Sequence, residues 1–148
     1  MSRFRGRYDY SIDGKGRLNI PAKFRKLLNP DADETFVITR APDGCLRAYP
    51  QDAWEEYEDS IYSLPSTKEN EKMIRLIEAT NSDSRLDKQG RITLSPRQME
   101  LSGITKNVTI IGRRKFIEIW DTDTFERYIG DDSDFDDLFY KAMEGGTP

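Results

Sequence analysis

Two short motifs hold the residue types most able to do chemistry in this chain, Asp13-x-x-x-Arg17 and Asp87-x-x-x-Arg91. An Asp that opens a tight turn accepts backbone N–H bonds. An Arg that closes it either pairs back to that carboxylate or points outward. Bracing a turn uses the Asp but has no need of the Arg. The guanidinium is more economically explained as a donor fork for a phosphate or a guanine edge. Lys15 sits in the first turn between Gly14 and Gly16, which let the backbone come close to a ligand. Arg5 and Arg7 share one parity in the segment before it. A protein that neutralises several phosphates in this way binds with a steep salt dependence.

Other chemistries find little support. Gly14-Lys15-Gly16 lacks the spacing and following Ser or Thr of a nucleotide-binding loop. The chain has no histidine, which removes His-based acid–base catalysis, His triads and His metal sites. Its one cysteine, Cys45, allows no intrachain disulfide and is expected to be a buried small apolar residue. Asp131-Asp132 and Asp136-Asp137 do not have the spacing of a calcium loop. No nucleophile–base pair can be named, so no enzymatic activity, small-molecule substrate, metal or other cofactor is expected. No apolar run approaches the roughly 18 residues of a membrane span, and the N-terminus lacks the apolar stretch of a secretory signal. A cytoplasmic protein with no membrane partner is expected.

The net charge of −4 over 148 residues conceals a strong segregation. Residues 1–26 carry eight bases against Asp9 and Asp13, and residues 84–97 carry four bases against Asp87. Residues 118–148 carry ten acids against Arg127 and Lys141. Charge distributed like this makes local fields that the whole-chain sum hides. Arg113-Arg114-Lys115 is a further basic cluster, readable as a phosphate contact or as a solvated loop.

The elements that must position these residues occur twice. Ser11–Ile20 aligns with Arg85–Leu94 at an offset of 74, placing Asp13, Gly16, Arg17, Leu18 and Ile20 on Asp87, Gly90, Arg91, Ile92 and Leu94. Beyond a shorter connector the offset becomes 71, and Val37, Tyr49 and Trp54 fall on Val108, Trp120 and Phe125. The chain therefore reads as a tandem duplication. In each copy, alternating apolar residues predict two short strands forming a hairpin around the Asp-to-Arg turn, with Asp13-Gly14 supplying a positive φ in the first. A short helix follows, from Pro21 to Asn29 in one copy and from Ser95-Pro96 to Gly103 in the other. A second strand pair completes each copy, 36–39 with 45–49 and 108–111 with 116–120. Trp54, Tyr57, Ile61 and Leu64 lie on one helical face, and a second helix is expected over 68–80. The stretch 131–148, with Phe135, Leu138, Phe139 and Tyr140 among acids, fits either a weak helix or loose chain. Tyr8, Tyr10, Trp54 and Trp120 read as core or interface aromatics.

Phe4-x-Gly6-x-Tyr8, Asp13-x-Lys15-Gly16-Arg17 and Pro21-x-x-Phe24-Arg25, with the second Asp-x-x-x-Arg copy beyond a helical spacer, resemble the MraZ family of AbrB-like proteins over about residues 3–140. The resemblance implies an α+β, mainly β fold, a swapped-hairpin (double-psi-like) barrel made by both halves of one chain with flanking helices. The expected division is 5–54 and 81–126 for the two halves, 55–80 for the spacer and 127–148 for an acidic tail. It also implies a bacterial, nucleoid-associated transcriptional regulator. Such a protein would be a repressor binding double-stranded DNA at promoter repeats of the division and cell-wall gene cluster, its own gene included. Assembly as a homo-oligomeric ring, often an octamer, is part of the same expectation. Arg17 and Lys15 would make the groove contact, Arg5, Arg7 and Arg25 would hold phosphates, and Arg91 and Lys88 would form a weaker second set. Lys88-Gln89 stands where the first copy has Gly14-Lys15, and Ser95 where it has Pro21. The alternative is an AbrB-like antitoxin or interaction module that uses the acidic tail on a protein partner.

Overall fold

The computed structural model describes residues 3–145; residues 1, 2 and 146–148, the ends of the basic N-terminus and of the acidic tail, lie outside the described residues. The fold is mixed α+β, with a mainly antiparallel sheet and six helices. The first copy supplies β1 (Arg7–Ser11), β2 (Arg17–Asn19), α1 (Ala22–Arg25), β3 (Thr35–Arg40) and β4 (Leu46–Pro50). Two helices follow, α2 (Gln51–Tyr62) and α3 (Lys68–Thr80). The second copy supplies β5 (Ser82–Arg85), β6 (Arg91–Thr93), α4 (Pro96–Ser102), β7 (Asn107–Gly112) and β8 (Ile117–Asp121). The chain then runs through α5 (Thr122–Ile129) and α6 (Phe135–Met143).

Local chemistry accounts for most of these boundaries. Ser95 and Gln98 cap α4 with reciprocal side-chain bonds, and Gly103 ends it in the left-handed conformation at φ +69°. Thr67 accepts the Asn70 N–H at the start of α3. The β3–β4 turn uses Asp43 and Gly44, both at positive φ.

The expected hairpins around the Asp-to-Arg turns do not form as ladders. β1 pairs with β7 of the other copy, and β5 pairs with β3. β2 leaves β1 and pairs with its own counterpart, β6. The physical reason is burial: the turn carries the chain out of the sheet, so that Leu18 and Ile92 lie opposite each other and are fully covered. The result is a six-stranded sheet in the order β1-β7-β8-β4-β3-β5, read identically from either copy, and a separate two-stranded ribbon β2-β6. Among the described residues no pairing joins the outer strands β1 and β5, so the sheet is open and no closed barrel is made.

Because the copies exchange strands, neither owns a core. Phe4, Leu18, Phe24 and Phe36 of the first copy pack in one cluster with Ile92, Leu94, Ile110 and Ile119 of the second. Phe24 meets Phe4 and Tyr8 edge to face, each at 5.1 Å between ring centres. A smaller cluster of Val37, Tyr49, Trp54 and Ile61 holds α2 and α3 against β3 and β4.

Candidate nucleic-acid interface

Each Asp-to-Arg turn is a small hydrogen-bonded cage. Asp13 Oδ1 accepts the N–H groups of Lys15 and Arg17, both at 2.9 Å, and Oδ2 accepts Arg17 Nε at 2.6 Å. Asp87 repeats the set with Gln89 N–H and Arg91 N–H at 2.9 Å and Arg91 Nε at 2.8 Å. The Arg17 N–H and guanidinium, with the Lys15 N–H, hold the Asp13 carboxyl down at about 2. The matching donors lower the Asp87 carboxyl. The left-handed positions are Gly16 and Gly90, at φ +78° and +75°, rather than Gly14. A Cβ at Gly14 would meet only open space, which explains how Lys88 can stand at the equivalent position.

Both halves of the sequence motif are therefore used at once. Nε locks each arginine to its turn, which fixes the orientation of the guanidinium, and the terminal nitrogens of Arg17 keep no protein partner among the described residues. Arg91 differs: its Nη1 also lies 3.8 Å from Asp13 Oδ2, and its side chain is 23% exposed against 36% for Arg17.

The ribbon brings the two cages together. Arg17 lies opposite Thr93 and Arg91 opposite Asn19, with Leu18 and Ile92 turned into the core. Reciprocal backbone bonds, Ile20 N–H to Gly90 O at 3.0 Å and Leu94 N–H to Gly16 O at 2.8 Å, tie each turn to the other copy. Arg17, Asn19, Arg91 and Thr93 thus share one outward face, with exposed Lys15 and Lys88 at its two ends. The Asp-to-Arg motifs do not include Asn19 and Thr93. The signal that finds them is their period-two spacing from Arg17 and Arg91, which places all four on one side of a strand pair.

Arg25 joins this surface from an unexpected direction. Its guanidinium lies over Gly90 of the second turn, where an added Cβ would stand 2.6 Å from Cζ, and its Nε donates to Ile20 O at 3.1 Å. Met99, the counterpart of Arg25, covers Gly16 of the first turn. The helix of each copy therefore covers the turn of the other.

Arg5 and Arg7 are placed elsewhere. They lie toward the end of β1 remote from the turn, and Gly6 at φ +103° breaks the strand parity between them. Arg7 Nη2 donates to Glu126 of α5 at 2.5 Å, and its guanidinium sits 5.2 Å from the Phe125 ring centre. Arg5 is exposed beside the β7–β8 turn. In that turn Arg113 pairs with Glu118 at 2.7 Å and Lys115 lies 3.6 Å from Glu56, so much of that basic cluster is engaged within the chain. Cys45 is buried, and burial pushes its thiol up to about 12, which keeps it protonated. No helix of the described residues is long and apolar enough to cross a membrane. No cluster of three or more His, Cys, Asp or Glu residues is placed to hold a metal ion among them.

Among known protein families, one model matches this chain twice in tandem, over residues 3–77 and 78–141, together nearly its whole length. That family is described as "MraZ protein, putative antitoxin-like".

Proposed function

We propose, from the premise that this chain belongs to the MraZ family, that it is a sequence-specific DNA-binding transcriptional regulator whose reading element is the β2–β6 ribbon. The observation that carries this is the single outward face holding Arg17, Asn19, Arg91 and Thr93, with Lys15, Lys88 and Arg25 around it. A two-stranded ribbon fits the major groove of B-DNA. There, oriented arginine forks suit guanine edges, an Asn amide suits adenine, and flanking cations hold the phosphates on either side. Five cations surround two carboxylates on this surface, which gives an anion-attracting field on a chain of net negative charge.

The finer reading is a repressor of the division and cell-wall gene cluster and of its own gene, acting at the nucleoid as a ring of copies on repeated sites. Strand exchange between the two halves supports the swapped-hairpin architecture for that reading. Rings of weak modules gain avidity when their spacing matches repeated sites. The second reading is an antitoxin-like module, favoured by the family description and by the exposed aromatic residues of α6.

The test is fluorescence anisotropy on DNA from upstream of the protein's own gene against scrambled DNA, across a salt series, for wild type and Arg17→Ala. Preference for the upstream DNA, with a steep salt slope and loss in a folded Arg17→Ala protein, is the expected result. Equal binding to both DNAs removes the regulator reading.

A further inference from the structure

Arg85, the last residue of β5, holds its charge against the corner that leads into β3. Its Nη2 lies 3.5 Å from both Asp33 Oδ1 and Glu34 Oε2. These distances are long for charge-assisted bonds, and all three side chains are more than 60% exposed, so the pairs are loosely held. The corner is built at a backbone cost. Asp33 and Glu34 are successive non-glycine residues in the left-handed region, at φ +50° and +51°. Thr35 Oγ1 donates to Asp33 O at 2.8 Å, and Leu86 N–H donates to Glu34 O at 2.8 Å. These bonds fix the corner against β5 and set both carboxylates beside Arg85.

A cavity of about 500 Å³ opens between this corner and the second turn, lined by Arg25, Glu34, Arg85, Asp87, Lys88 and Gly90. Three of these residues are cations. Lys88 is exposed, with no side-chain partner among the described residues. Arg25 donates Nε to Ile20 O at 3.1 Å, which leaves its terminal nitrogens free to face a ligand. The Asp87 carboxylate is already satisfied by the Gln89 and Arg91 N–H groups and by Arg91 Nε. The corresponding positions of the first copy hold no cation: Ser11, Gly14 and Met99 stand for Arg85, Lys88 and Arg25. The first turn forms the same cage without them, so the three cations are not needed to build a turn.

We propose that this cavity is a phosphoryl-binding site, and that Asp33 and Glu34 are counterions which the phosphoryl group displaces from Arg85. An arginine fork bonds a phosphoryl group through two oxygens at once, which the two loose carboxylates do not offer it. Arg25 and Lys88 approach the same space from α1 and from the turn, so one group, or two linked ones, is met from three sides. The phosphoryl group comes from the DNA backbone or from a free phosphorylated ligand. A free ligand here occupies the flank of the β2–β6 ribbon and competes with DNA. The proposal rests on the DNA reading for the first source and is independent of it for the second.

The test titrates inorganic pyrophosphate into the full chain at low salt by isothermal calorimetry. In parallel, anisotropy measures the salt slope of binding to the upstream DNA. Arg85→Ala and Lys88→Ala are each expected to weaken pyrophosphate roughly tenfold. Lys68→Ala/Lys72→Ala removes two exposed charges of α3 and is expected to leave it unchanged. Asp33→Asn/Glu34→Gln removes the counterions and is expected to tighten whichever phosphate binds, a gain that a damaged fold cannot imitate. On DNA, Arg85→Ala is expected to lower the salt slope by about one. Pyrophosphate binding that depends on Arg85 and Lys88 supports the free ligand, and its displacement of DNA supports the competition. A lowered DNA slope without pyrophosphate binding supports the backbone phosphate alone. No response to either probe, an equal loss in the α3 variant, or no gain in the Asp33→Asn/Glu34→Gln variant overturns the proposal. Pyrophosphate binding of this kind in a protein without DNA preference fails only the DNA reading. Retained DNA preference with none of these responses fails only the phosphoryl site.

Discussion

The first and second Asp-to-Arg turns are built from the same backbone cage and differ in what surrounds it. In the first, Arg17 has one carboxylate partner, and the thioether of Met99 covers Gly16. In the second, Arg91 leans toward both aspartates, and the guanidinium of Arg25 covers Gly90. The surplus of positive charge counted along residues 1–26 therefore does not remain on the first turn, because α1 delivers Arg25 to the second. Under the proposed DNA-binding function the two turns would take different roles, the first with the freer fork for a base and the second with an extra cation for a phosphate.

The largest expected difference is in stability. Gly16→Ala forces a left-handed Cβ to within 2.6 Å of a backbone oxygen, Leu94 O, which cannot swing away. A loss of about 3 kcal/mol is expected, combining left-handed strain of about 1–2 kcal/mol with displaced backbone. Gly90→Ala meets only the flexible end of Arg25, so about 1–2 kcal/mol is expected there. Urea unfolding of the two variants measures the gap, and equal losses would mean the two cages are interchangeable.

DNA affinity comes next. Arg17→Ala should cost about 1–3 kcal/mol of specific binding, roughly 10–100-fold, and relax the preference at one base position. Arg91→Ala should cost less affinity and more thermal stability, because its removal takes a partner from Asp87 and a neighbour from Asp13. Anisotropy and melting curves on both variants decide the order, and a reversed order would make the second turn the reader. A smaller effect isolates Arg25. Arg25→Met should reduce the slope of log affinity against log salt by about one, and Met99→Arg should increase it by about one. If neither changes the slope, the helix exchange carries no charge to the DNA surface.

The smallest effect is in acid. Asp13 and Asp87 are more readily ionised in the fold than in the unfolded chain, so each stabilises the fold above the unfolded value of about 4. That contribution fades as the pH falls through the folded value, about 2 for Asp13. Carboxyl-carbon NMR should show both aspartates titrating below the ordinary range. A melting temperature for Asp13→Asn that converges on wild type between pH 4 and 2 is the matching stability result.

Much of this architecture is written locally. The α4 cap at Ser95 and Gly103, the Asp43-Gly44 turn and the extent of α3 follow from short-range rules that act within four residues. On the expected α2 face, by contrast, only Trp54 and Ile61 are buried, and Leu64 lies beyond the helix end. The pairing of strands is not local. The alternation of Tyr8, Tyr10 and Ile12 shows a strand but not its partner, and the nearest candidate, β2, is passed over for β7. Period-two spacing puts Asn19 beside Arg17 and Thr93 beside Arg91, but only the pairing between copies brings all four onto one ribbon face. Arg7 illustrates the reverse case: a base in a basic segment whose partner, Glu126, comes from the acidic end of the chain.

By itself, the sequence determined that there are two copies, that each contains an Asp-braced turn ending in an Arg, and that an acidic, aromatic segment follows them. These are properties of residue order and of hydrogen bonds spanning a few residues. Only the tertiary structure decided that the copies exchange strands, that Arg25 serves the second turn, and that Arg17, Asn19, Arg91 and Thr93 share a face. The reason is that a half with only part of a sheet cannot cover its own Leu18 or Ile92. The burial that selects the fold is available only when the two halves complete each other.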